Sequence, residues 1–104
     1  MNRIKVATAL FSLLAAPAWG DEVVQVVIDK YQFQPRTVTV RPGTVVEWLN
    51  AEKRTSHSVI VEGQSESERL FPGESFRFRF DRPGRFPIRC GPHPDMMGMV
   101  EVAN

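Results

Sequence analysis

Cysteine is the scarcest chemical resource in this 104-residue chain: there is one, Cys90. That excludes an internal disulfide framework and any zinc cluster made of cysteines alone. Histidine is nearly as rare, with only His57 and His93. Charge of one sign is also lacking. The 13 Lys+Arg and 12 Asp+Glu leave a formal +1, whereas phosphate binders carry a strong basic excess, so no nucleic-acid partner is expected. No apolar run reaches the ~20 residues of a membrane span, so stable membrane insertion is not expected. Beyond residue 20 no amphipathic helix of useful length can be traced. What the chain does have is aromatic mass. Seven Phe and two Trp within 42% apolar content are enough for a core and too much for disorder. The length suits one domain.

The first twenty residues read as a secretory signal. Arg3 and Lys5 precede the nearly all-apolar run from Val6 to Ala16, and Ala18 and Gly20 supply small residues at a cleavage site. Cleavage is expected after Gly20, with Ala18 the alternative, and the mature domain is residues 21–104. Cleavage after Gly20 removes two bases and no acid, leaving 11 basic against 12 acidic side chains. A domain of this size is marginal on its core alone, and exported domains of this kind add disulfides or a metal. No disulfide can form within the chain, and a lone thiol in an oxidising compartment needs burial or ligation. Both facts point to a metal.

The rest of the chain reads as strands. Val23–Ile28 is β-branched, and Tyr31 and Phe33 continue the alternation. Thr37–Arg41, Thr44–Asn50 and His57–Val61 follow, the first two separated by Pro42-Gly43. The Phe76–Phe80 segment puts three Phe on one face and two Arg on the other. After Pro83-Gly84, Arg85–Cys90 places Phe86, Ile88 and Cys90 together, and Val100 and Val102 close the chain. The expected fold is all-β, an antiparallel sandwich or barrel. The connection Glu62–Ser75 is expected to hold a short helical turn. If the strands of Phe76–Phe80 and Arg85–Cys90 pair, Arg77, Arg79, Arg85 and Arg89 form an outward basic stripe. The favoured reading of that stripe is a solvated face offset by Glu47 and Glu101; the alternative is steering towards an acidic partner.

The chemistry concentrates in Cys90-Gly91-Pro92-His93-Pro94-Asp95-Met96, a loop between two strands that carries a thiolate, an imidazole and a thioether. The second imidazole, His57, lies far upstream at the start of a strand. Soft sulfur with imidazole suits copper, and two His and one Cys with a weak axial Met is a blue-copper donor set. Structural zinc wants four firm ligands and is poorly served here.

These residues resemble the cupredoxins, small type 1 blue-copper proteins. The likeness is closest to amicyanin and looser to pseudoazurin and plastocyanin. It rests on Asn50 with His57 seven residues on, Leu70-Phe71-Pro72-Gly73-Glu74-Ser75-Phe76, Pro83-Gly84 and Cys-x-x-His-x-x-Met, and spans residues 21–104. It implies a cupredoxin-like Greek-key β-sandwich. It also implies one copper ion held by His57, Cys90 and His93, with Met96 as the axial ligand by amicyanin-like spacing. Met97 and Met99 are the fallbacks; plastocyanin-like spacing lands on Gly98, which has no donor. Against the family pattern, Gly91 lacks the hydroxyl often found after the Cys, and Pro92 has no N–H to offer the sulfur. The expected donor to the thiolate is the Asn50 backbone.

The implied function is a periplasmic one-electron carrier, monomeric and not an enzyme, that meets redox partners such as a c-type cytochrome or a dehydrogenase transiently. The apolar surroundings of His93, namely Pro92, Pro94 and Met97, would form the docking face. The alternative is a copper chaperone or resistance protein, because Met96, Met97 and Met99 suit Cu(I); no Met- or His-rich tail supports it. A Cys–His hydrolase lacks an orienting third group, and two His cannot build a multicopper cluster.

Overall fold

A computed structural model describes residues 22–104, so the expected signal at residues 1–20 lies outside the described residues. Among the described residues eight strands follow one another: β1 Val23–Asp29, β2 Gln32–Gln34, β3 Thr37–Val40, β4 Thr44–Asn50, β5 Ile60–Val61, β6 Ser75–Phe80, β7 Gly84–Arg89 and β8 Met97–Val102. They form two four-stranded sheets, ordered β2-β1-β4-β6 and β3-β8-β7-β5. This is the expected all-β sandwich, with one refinement. The sheets are mixed: β1 runs parallel to β4, and β3 runs parallel to β8. Parallel neighbours arise because the chain changes sheet between β2 and β3 and again between β3 and β4, so consecutive strands do not all form hairpins.

Period-2 patterning decides which side chains enter the space between the sheets. In β4 the buried positions are Thr44, Val46, Trp48 and Asn50. The register sets Trp48 opposite Phe76 and Val46 opposite Phe78. Trp48 stacks on Phe76 with ring centroids 6.1 Å apart, and Phe80 closes on it at 6.3 Å. Ile88, Val100 and Val102 complete the core from the opposite sheet.

Three details differ from the pattern expected of the sequence. Only Ile60–Val61 of the segment His57–Val61 joins a sheet ladder; His57 instead makes an isolated antiparallel bridge with Leu70. The connection Glu62–Ser75 holds no helical turn, because its polar groups are satisfied by pairing back on residues 57–59. The Ser67 N–H donates to the Val59 carbonyl at 2.9 Å, and the Leu70 N–H donates to the His57 carbonyl at 2.7 Å. Finally, β6 and β7 lie in different sheets, so the four arginines form no single stripe. Arg77 pairs with Glu47 at 3.0 Å and Arg85 with Glu101 at 3.2 Å, as a solvated face offset by those acids requires; Arg79 meets Asp81 at 2.7 Å.

Candidate metal centre

The site lies where β7 ends, between the loop that leads into β8 and the loop that follows β4. Cys90 continues the inward series of β7 after Phe86 and Ile88 and is fully buried, with no disulfide partner. The loop after it is closed by its own backbone: the Cys90 N–H donates to the Met96 carbonyl at 3.1 Å, and the Met96 N–H donates to the His93 carbonyl at 2.9 Å. These bonds fold three donor residues into one turn. Met96 is buried within it, whereas Met97 is half exposed at 50% and Met99 is partly buried.

His57 comes from the other side. Its backbone bridge to Leu70 holds it at the sheet margin, and its ring is wholly buried. The ring Nε2 lies 3.1 Å from the Glu52 carboxylate. An ionised carboxylate only accepts, so this contact assigns the ring proton to Nε2 and leaves the Nδ1 lone pair facing inward. The same Glu52 oxygen accepts the Tyr31 N–H at 2.8 Å, and the Glu52 N–H donates to the Asn50 side-chain oxygen at 3.0 Å. Burial pushes the His57 pKa below its ordinary value, helped by the neighbouring His93 and opposed by the bond to Glu52. Burial pushes the Glu52 pKa upward, but its bonds to the Tyr31 N–H and to His57 outweigh that and hold the carboxyl below the usual range. Both shifts favour a neutral imidazole beside a carboxylate.

The three inner donor atoms converge. Cys90 Sγ lies 3.6 Å from His57 Nδ1 and 3.6 Å from His93 Nδ1, and the two Nδ1 atoms are 3.2 Å apart. Metal–nitrogen and metal–sulfur bonds of about 2.0–2.3 Å place neighbouring ligand atoms roughly 3.3–3.7 Å apart, so the cluster has the dimensions of a shared metal ion. Its composition of two imidazoles, one thiolate and a nearby buried thioether fits copper better than zinc.

Residues that the sequence reading did not single out complete the surroundings. Tyr31 lies edge-on to both imidazoles, with ring centroids 4.8 Å from His93 and 5.4 Å from His57. It is placed by a two-residue hairpin in which Lys30 and Tyr31 both have positive φ, 54° and 58°. Such turns normally announce themselves with Asn or Gly, and neither occurs here. The donor to the thiolate also differs from expectation. The Asn50 N–H is committed to the Glu74 carbonyl at 2.9 Å; the backbone N–H facing Cys90 Sγ, at 3.5 Å, belongs to Ser58. Asn50 instead uses its side-chain amide to tie the carbonyls of Thr55 and Leu70, both at 2.9 Å, which braces the loop carrying Glu52.

Comparison with known proteins agrees with this geometry. The cupredoxin-like domain matches residues 3–102 of the chain. The chain belongs to the cupredoxin-like family. Amicyanin-alpha of Methylorubrum extorquens is 34% identical over 102 residues, covering 92% of this chain and 82% of the relative. The Cu(I) form of an amicyanin mutant superposes with a TM-score of 0.73 at 25% identity, over 80% of this chain and 84% of that one. The copper-containing nitrite reductase of Thermus scotoductus SA-01 reaches a TM-score of 0.72 at 26% identity over 78% of this chain, but the match spans only 22% of the reductase. Membership brings the general character of a small blue-copper electron carrier. One type 1 copper is the family's cofactor, and the donor set described above is of that kind.

Proposed function

We propose that the chain is a periplasmic one-electron carrier whose copper is held by His57, Cys90 and His93, with Met96 as the weak axial ligand. The observation that carries this reading is the convergence of Sγ and two Nδ1 atoms within 3.6 Å of one another, with Cys90 and His57 buried and His93 partly so. When bound there, copper supplies a one-electron couple between Cu(II) and Cu(I). The protein's own contribution is to hold its donors still. Glu52 fixes the His57 tautomer, the sandwich fixes Cys90, and the closed turn fixes His93 against Met96. A site built in advance needs little rearrangement when charge changes, which is what fast exchange requires.

Access is one-sided. Cys90 and His57 are buried, whereas His93 is only partly covered and is flanked by the exposed Pro92, Pro94 and Met97. That apolar rim serves as the docking face for a c-type cytochrome or a dehydrogenase, and a rim this small suits a brief encounter of a monomer. The same burial argues against thiol catalysis, since no substrate carbonyl reaches a fully enclosed Cys90. Export through residues 1–20 sets the periplasmic location.

The deciding experiment is repeated reduction and reoxidation of the copper-loaded protein in the presence of a Cu(I) chelator. A carrier retains its copper through every cycle. Loss of Cu(I) to the chelator at each reduction supports the chaperone reading instead.

A further inference from the structure

Ser58 touches the Cys90 turn twice. Its N–H faces Cys90 Sγ at 3.5 Å, and its hydroxyl oxygen accepts the Gly91 N–H at 3.0 Å. The hydroxyl proton goes the other way, to Glu66 Oε2 at 2.6 Å. A serine hydroxyl has one proton. With Gly91 donating to the oxygen and the carboxylate accepting, the chain of bonds has a single direction: Gly91 N–H to Ser58 O–H to Glu66. The Ser58–Glu66 separation lies in the range of charge-assisted O–H···O⁻ bonds.

Two further observations show that this is a fitted arrangement. Glu66 is an exposed residue, yet it is brought beside buried Ser58 by the backbone next to it: Ser67 N–H donates to the Val59 carbonyl, and the Val59 N–H donates to Ser67 Oγ, both at 2.9 Å. And a side chain at position 91 would have to displace Glu66 and crowd Ser58. A Cβ there would collide with the Glu66 carboxylate and sit 2.8 Å from Ser58 Oγ. The space that a larger residue would need is taken by the two groups that hold the turn.

We propose that Ser58 and Glu66 are positioning residues for the Cys90 thiolate. They commit the Gly91 N–H to the Ser58 oxygen and so withhold it from the sulfur. Pro92, next in the chain, has no N–H. The thiolate is thereby left with the long Ser58 N–H contact at 3.5 Å as its backbone hydrogen bond, and hydrogen bonding at the sulfur is a main lever on the potential of a copper–thiolate site. The proposal deepens the copper reading and rests on it for its redox consequence, while the clamp itself exists without metal.

The test has two arms. In the copper-free protein, amide hydrogen exchange at Gly91 reports the clamp directly. Ser58→Ala and Glu66→Ala should each speed that exchange by about tenfold, whereas Ser58→Thr and Glu66→Gln, which keep a hydroxyl and an acceptor, should stay near the parent rate. Gly91→Ala should disturb the parent protein more than it disturbs Glu66→Ala. In the copper-loaded protein, Ser58→Ala should raise the reduction potential and shift the thiolate-to-copper absorption, and Ser58→Thr should restore both. Should Ser58→Ala not fold, the exposed-site change Glu66→Ala carries both arms. Unchanged Gly91 exchange in the alanine variants overturns the clamp. Faster exchange with an unmoved potential and spectrum overturns the positioning role. A parent protein without the absorption band refutes the copper reading but leaves the exchange arm to decide the clamp.

Discussion

The two imidazoles meet at 3.2 Å, yet they are held in opposite ways. His57 is fully buried, bridged to Leu70 through its backbone and to Glu52 through its ring, and Glu52 is in turn held by the Tyr31 and Asn50 contacts. His93 rides on a surface loop between two prolines, partly exposed, with the Tyr31 ring against it. One imidazole belongs to the sandwich; the other belongs to the rim. The division matches the two demands on an electron carrier, a fixed geometry within and an accessible edge without.

The largest expected difference is in stability without copper. His57→Ala leaves a cavity and takes from Glu52 its imidazole partner, and should cost about 2–4 kcal/mol. His93→Ala removes a partly exposed side chain and should cost less than about 0.5 kcal/mol. Urea unfolding of both copper-free variants checks this, and equal costs would erase the distinction between the two histidines.

Next is the support of His57. Glu52→Gln keeps the shape but loses the carboxylate that fixes the ring proton, and copper affinity should fall roughly 10–100-fold. Competition titration against a chelator reads the change; a fall below threefold would make Glu52 a bystander.

Acid should act on the buried half first. The folded pKa of His57 lies below its ordinary 6.5, so the unfolded chain binds a proton that the folded chain resists. Stability of the copper-free protein should therefore be level above about pH 6.5 and decline as pH falls towards the depressed folded value. Glu52, also depressed below its ordinary 4.5, adds a second loss as pH falls further, through its folded value. His57→Gln should flatten the upper part of the profile. A denaturation midpoint that rises on acidification would contradict the sign.

The smallest effect concerns the thioethers. Met96→Leu should keep copper bound and shift the reduction potential, because Met96 is buried in the turn, while Met97→Leu, half exposed, should shift it less. Voltammetry of the two variants compares them, and a larger shift for Met97 would move the axial assignment.

Much of this site can be read from residue order alone. Cys90, His93 and Met96 fall within seven positions, and the Phe76–Phe80 alternation marks a strand without ambiguity. What escapes is contact across distant segments. Ser58 meets Gly91 across 33 positions, and Tyr31 meets Glu52 across 21; no local pattern encodes either. The assignment of β6 and β7 to separate sheets is hidden for the same reason, since Pro83-Gly84 looks like a hairpin turn and only the partners of each strand reveal otherwise. The early start of β8 is missed because Met97 and Gly98 break the β-branched pattern.

The function proposed for this protein depends on Cys90, His57 and His93 binding one metal together. The most direct test is to add Cu(II) to the purified domain, and to its Cys90→Ala and His57→Ala variants, and record the visible spectrum. An intense thiolate-to-copper absorption should appear, saturate at one copper per chain and be absent in both variants. A colourless Cu(II) complex, or a band that survives either substitution, would contradict such binding.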